Sequence, residues 1–223
     1  MHYEIPDEYL VEHYPNALER AADHWLHIIA IALAGLGAAW LVERALSTQR
    51  VGLVFAAGVY GVALICMLVF SAIYNLGRVS PARPFLRRLD EAGIFLMISG
   101  SYTPFTTQRL SGPLAVGMTA MVWGIALAGI IAKLAFPKIP EWIWTAVYIL
   151  FGWVAIIALG PFSVALSVSA LGLLIAGGLS YTAGSLIFLN PRVPFRRAIW
   201  HGFVCAGAAL HFGAIAGGVV LAA

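Results

Sequence analysis

Trp142 to Pro191 reads WIWTAVYILFGWVAIIALGPFSVALSVSALGLLIAGGLSYTAGSLIFLNP, 50 residues without one acidic or basic side chain. A single helix of that length, rising ~1.5 Å per residue, would overshoot the ~30 Å hydrocarbon core of a bilayer more than twofold. The run must therefore fold back, and Gly160-Pro161 is the expected turn between two spans. Only a membrane protein carries such a stretch. The composition agrees, with 61% hydrophobic and 10% charged residues and a mean hydropathy of +0.91, outside the range of soluble domains.

Outward from this run, charged clusters and prolines separate further apolar segments. Trp25 to Val42 is the first, ending at Glu43 and Arg44. Val51 to Leu76 is the second, long enough to cross with some tilt. Ala92 to Gln108 is the third, brief or bent near Pro104. Leu110 to Ala132 is the fourth, closed by Lys133, Pro137, Lys138 and Pro140. Arg192, Arg196 and Arg197 precede the last, from Ala198 onward. The reading is all-α, a bundle of seven transmembrane helices over residues 23–223. An N-terminal cytoplasmic arm, residues 1–22, holds five of the ten acids, and the first span is expected to direct insertion in place of a cleaved signal.

Lys and Arg accumulate on the cytoplasmic side of membrane proteins. With the N-terminus inside, that side receives ten of the thirteen, leaving only Arg44, Arg50 and Arg109 opposite. The expectation is thus a multi-pass protein of the cell's inner (plasma) membrane with its C-terminus outside. The pI near 9.0 reports orientation and gives no reason to expect a nucleic-acid partner. The partners expected are membrane lipids. Cys66 and Cys205 lie inside apolar runs and suggest no disulfide. Trp142, Trp144 and Trp200 are expected as interfacial anchors, and the small residues of the last two spans as close packing.

Against this background the polar groups stand out. Asp23 and His27, Ser71 and Asn75, and Arg197 and His201 are each four apart, so each pair shares a helix face, and Asp90 precedes the third run. In the topology above all seven fall at one depth near the cytoplasmic boundary. Ionisable groups there mark a candidate functional site. Several also have a structural reading, and Arg197 can snorkel to the headgroups beside Arg196. Asp90 can begin a helix, Asp23 can cap one beside an interfacial His24, and Glu91 can face headgroups. His201 and His211 can be hydrogen-bonded interior histidines, His211 being too deep to join His201 in one site.

Four motifs, LDEAGIFLMISGSYTPF (89–105), GW (152–153), GGLSYTAGS (177–185) and IWHGFVCAGAALHF (199–212), resemble the hemolysin III family. This is the bacterial branch of the progestin and adipoQ receptor family, grouped with alkaline ceramidases among putative membrane hydrolases. The likeness covers roughly residues 19–212 and implies seven helices with a cytosolic N-terminus. In adiponectin-receptor-like members, three His bind zinc and an Asp beside it holds a water. Carried over, Ser71, Asp90 and His201 match family positions, whereas Asn75 and Arg197 stand where His ligands belong. An Asn amide is a poor zinc ligand and a guanidinium repels the ion, so the family's zinc site reads as degenerate. Asp23 and His27 offer a substitute ligand set with His24.

Three classes of function follow. One is a lipid-binding protein regulating membrane homeostasis, with Asn75, Arg197, Asp23 and His27 lining a pocket among the second, third and seventh spans. Another is a zinc-dependent hydrolase of lipid amides using His201 and Asp90 as ligands and Asp90 and Ser71 in the chemistry. The third is the pore implied by the family name, for which no span carries a polar stripe. An ion pair between Arg197 and Asp90 is expected to replace the charge of the lost metal.

Overall fold

The computed structural model of the chain describes residues 13–136 and 139–222. The N-terminal part of the expected arm, and Pro137 and Lys138 of one expected loop, lie outside these residues. The described residues are helical, with no strand among them. We number the long helices α1 (Ala17–Ser47), α2 (Val51–Leu76), α3 (Arg83–Gln108), α4 (Gly112–Ala135), α5 (Glu141–Ala165), α6 (Val168–Phe188) and α7 (Arg196–Val220). All but α3 are long and apolar enough to cross a membrane.

The helices begin where local chemistry supplies a cap. Asn16 accepts from the Glu19 amide at 2.9 Å and opens α1, so Asp23 lies within the helix and is not its cap. Pro84 and Pro113 occupy the first turns of α3 and α4, where their missing N–H groups have no helical partner to lose. Starting at Arg83, α3 carries Arg87, Arg88, Asp90 and Glu91 on the helix and not in a loop. Asp90 therefore stands two turns inside, where it cannot serve as a first-turn charge.

The turn in the long apolar run falls elsewhere than expected. Gly160 and Pro161 sit inside α5, and the chain reverses at Leu166 and Ser167, with Ser167 Oγ accepting from the Ala170 amide at 3.2 Å. A 3-10 stretch, Trp153–Ala158, interrupts the α-helical ladder just before the short α-helical piece Leu159–Ala165. Pro161 thus falls in the first turn of a restarted helix, a position that tolerates it. The backbone groups at the interruption are served from α3. Tyr102 donates to the Gly152 carbonyl and accepts from the Ala155 amide, both at 2.7 Å.

Helix α3 is a packed inner wall. Ser99 donates to the Val122 carbonyl at 3.1 Å and Trp123 to Thr103 at 3.1 Å, tying it to α4. Pro104 is accommodated inside the helix. Helices α6 and α7 approach closely at glycines, since a Cβ on Gly177 would stand 3.2 Å from the Gly207 carbonyl oxygen and one on Gly207 2.8 Å from the Tyr181 ring. Of the expected anchors only Trp142 is largely exposed. Trp144 is buried against Phe95, and Trp200 packs on Phe188.

Before α1, Tyr14 is buried with its hydroxyl on Asp23, and the His13 ring stands edge-on to Tyr74 at 4.8 Å. Burial and the Asp23 carboxylate push the Tyr14 phenol up. Burial, then the charges of Arg197, Arg83 and Arg87, bring His13 down from 6.5 to about 3. An undocked His13 would take up a proton near 6.5 that the docked ring refuses until about 3, so docking is complete above that window and weakens as pH falls through it. Limited proteolysis of the segment before Ala17 should accelerate as pH drops from about 7 to about 5. In His13→Gln that rise should vanish.

Candidate functional site

At the end of the bundle carrying the α2–α3 and α6–α7 connections, Asp23, His27, Ser71, Asn75, Asp90, Arg197 and His201 come together. The centre is Asp23, fully buried. One carboxylate oxygen accepts from His201 Nδ1 at 2.6 Å, and the other from the Tyr14 hydroxyl. The backbone carbonyl of Asp23 accepts from His27 Nδ1 at 2.8 Å. Because oxygen acceptors hold both Nδ1 atoms, the neutral rings carry their hydrogens there and present bare Nε2 lone pairs. Both Nε2 atoms stand 3.3 Å from Ser71 Oγ. The rings meet edge to face at 4.5 Å.

Around Ser71 a second chain of contacts leads to the expected cation. Asn75 Nδ2 lies 3.2 Å from Ser71 Oγ and 3.4 Å from Asp90 Oδ2, and Arg197 Nη1 donates to Asn75 Oδ1 at 2.8 Å. The expected ion pair is therefore corrected. Among the described residues no salt bridge joins Arg197 to Asp90, because the Asn75 amide stands between them and offers its oxygen to the guanidinium and its nitrogen to the carboxylate. Arg196 turns away, its guanidinium stacking on Phe188. Glu91 is not exposed to headgroups but joined to Arg87 at 3.0 Å and Lys133 at 2.5 Å. His211 is held in the bundle by the Leu174 carbonyl at 3.2 Å.

These groups face a cavity of about 320 Å³ to which all seven helices contribute. His27, Ser71, Asn75, Asp90, Arg197 and His201 line its polar end, with Glu91 and Lys133 beside them. Met67, Met97, Tyr102, Trp153 and Tyr181 continue the wall into the apolar depth. Asp23 stands behind His201 and outside the lining.

The zinc arrangement implied by the resemblance does not fit these residues, since a guanidinium and an amide hydrogen-bonded to each other occupy two of its ligand positions. A different group, Asp23, His27 and His201, can hold a metal ion, with candidate donor atoms within 4.8 Å of one another. His24 is exposed and takes no part. The sequence did not point to Tyr14 or to the central place of Asp23. Its one available signal for the latter was the Asp23–His27 spacing, which local capping explained equally well.

Comparison with known proteins agrees with this picture. A family model described as "Haemolysin-III related" matches residues 18–212. Hemolysin-3 of Bacillus cereus is 33% identical over 205 residues, covering 92% of this chain and 90% of the relative. The Hemolysin-3 homolog of Bacillus subtilis (strain 168) is 34% identical over 154 residues, 69% of this chain and 72% of its own length. The human Monocyte to macrophage differentiation factor is 31% identical over 215 residues, 90% of this chain and 84% of its own. No solved structure matches. The helices, the cavity and the matches along almost the whole length together make this a multi-pass membrane protein related to adiponectin-receptor-like proteins, and the chain belongs to the hemolysin III family.

Proposed function

We propose that this protein crosses the inner (plasma) membrane seven times, N-terminus in the cytoplasm and C-terminus outside, and binds a membrane lipid in its cavity as part of membrane homeostasis. The observation carrying the reading is the cavity itself, polar at one end and apolar in its depth, with a volume in the range of small-molecule sites. A lipid carbonyl or headgroup matches the donors of Arg197 and Asn75, and an acyl chain matches the wall of Met67, Met97 and Tyr102.

For α3 the crossing is supported by its packing. From Ala92 to Gln108 it holds no charge, a length of roughly 25 Å. Its hydroxyls find partners inside the protein, so it does not need the apolarity of a lipid-facing helix. Ten of the thirteen Lys and Arg fall, along the chain, in the arm and connections assigned to the cytoplasmic side, which supports the orientation. A reporter fused after Ala223 should be active only when suited to the outer side, and activity in the cytoplasm would overturn the topology.

Lipid binding is tested on purified protein by native mass spectrometry. The chain should retain bound lipid, and Gly178→Leu, which fills the cavity beside Trp153, should lose it while keeping its thermal unfolding. Lipid retained equally by both would remove the reading.

A second reading, a metal-dependent hydrolase of lipid amides, is favoured by Asp23, His27 and His201, which would hold the ion. Zinc there would polarise a carbonyl or a water. Metal analysis should then find one zinc per chain, lost in His27→Ala; a metal content below a tenth of an equivalent would count against it.

A further inference from the structure

We infer that Ser71, His201 and Asp23 form a metal-independent acyl-transfer triad, with an ester or amide of a long-chain acyl lipid as its substrate. The inference rests on the lipid-binding reading for the substrate class, and on its own geometry for the chemistry.

The order of contacts is that of a nucleophile, a base and an orienting carboxylate. Asp23 holds His201 Nδ1–H at 2.6 Å, and the opposite nitrogen faces Ser71 Oγ at 3.3 Å. Asp23 is buried behind the imidazole, while Ser71 and His201 line the cavity. His27 Nε2 stands equally near Ser71, but its Nδ1 is hydrogen-bonded to the backbone carbonyl of Asp23 and reaches the carboxylate only at 3.7 Å, against 2.6 Å for His201. A carboxylate stabilises imidazolium far better than a carbonyl does, so His201 is the base. Asn75 and Arg197, the two departures from the family's zinc pattern, have a role here. The Asn75 amide is 3.2 Å from Ser71 Oγ and 3.4 Å from Asp90 Oδ2, with the Arg197 guanidinium behind it; a substrate carbonyl oxygen entering beside Ser71 takes the place of Asp90 as the acceptor of that amide as it gains negative charge.

In the first half of the reaction Ser71 Oγ bonds to the acyl carbon and its proton passes to His201 Nε2. The carbonyl oxygen takes the electron pair beside Asn75. The bond to the leaving alcohol or amine then breaks, and that group departs with the proton from His201. In the second half a water attacks the acyl-serine, giving its proton to His201, and Ser71 recovers a proton as the fatty acid leaves. No oxidant or metal enters the balance.

The experiment uses the full chain in lipid nanodiscs, stripped with a chelator and treated with a long-chain alkyl fluorophosphonate. A serine adduct mapped to Ser71 by peptide mass spectrometry is the expected result, absent in Ser71→Ala. Asp23 is a positioning residue, so Asp23→Asn should slow labelling by at least ~10³-fold while the probe's binding constant holds. Proportional loss of both would indicate a merely structural role and overturn the assignment. Ser71→Ala serves where Asp23→Asn fails to fold. The hydrolysed, unreactive phosphonate reports binding separately. If it binds and no adduct forms, the triad is wrong and the lipid reading stands. If it does not bind, the lipid reading fails, and the small probe diisopropyl fluorophosphate decides the triad by whether it modifies Ser71. Labelling abolished by the chelator and restored by zinc would also overturn the proposal.

Discussion

The hydrogen bond between Asp23 and His201 is the contact on which the polar end of this protein depends. A carboxylate at membrane depth is tolerated only when paired and fully hydrogen-bonded, since its desolvation costs several kcal/mol or more. Here the two oxygens are taken by His201 and Tyr14. The same bond fixes the tautomer of His201, and with it the direction of the free nitrogen. Removing either partner would leave a buried group without its complement and also unlock the imidazole. Stability and chemical readiness are therefore one property at this point.

A second constraint shapes the cavity wall. Helix α3 has a polar sequence because its neighbours are helices. Its serines and threonines bond to its own backbone and to α4, and Tyr102 serves the interrupted ladder of α5. Backbone groups freed by a 3-10 stretch inside a membrane need such internal partners. The interruption and the polar helix each make the other tolerable, and the cavity lies along their line of contact.

Much of this was readable in the chain. Charge-free runs mark the apolar helices, since no other arrangement satisfies so long an uncharged backbone in lipid. Ser71, Asn75, Asp90, Arg197 and His201 were recognisable as polar intrusions, and the structure brings them into one cluster. Boundaries were harder. Proline suits both a loop and a first helical turn, so Pro84 by itself does not mark where α3 begins, and Gly160-Pro161 reads as a turn because the 3-10 stretch before it has no sequence signature. Ser167, three residues before Ala170, was the overlooked signal for the true reversal. The partner of Asp90 differs from the expected one for another reason. Opposite charges suggested a direct pair, but the reach of Asn75 let an amide join them. Tyr14 lay beyond sequence reasoning because its contact depends on how the chain enters α1.

The bond between Asp23 and His201 spans 178 positions, which places it in time as well as in space. Asp23, in α1, leaves the ribosome long before His201, in α7. At ordinary translation rates of 5–20 residues per second, their appearance is separated by roughly ten to thirty-five seconds. Throughout that interval the nascent chain carries the Asp23 carboxylate without the His201 imidazole that takes one of its oxygens. A product that stops before α7 keeps it so permanently. Completion of synthesis is thus felt in the electrostatics of α1, where the Asp23 carboxylate gains its closest partner only when α7 arrives.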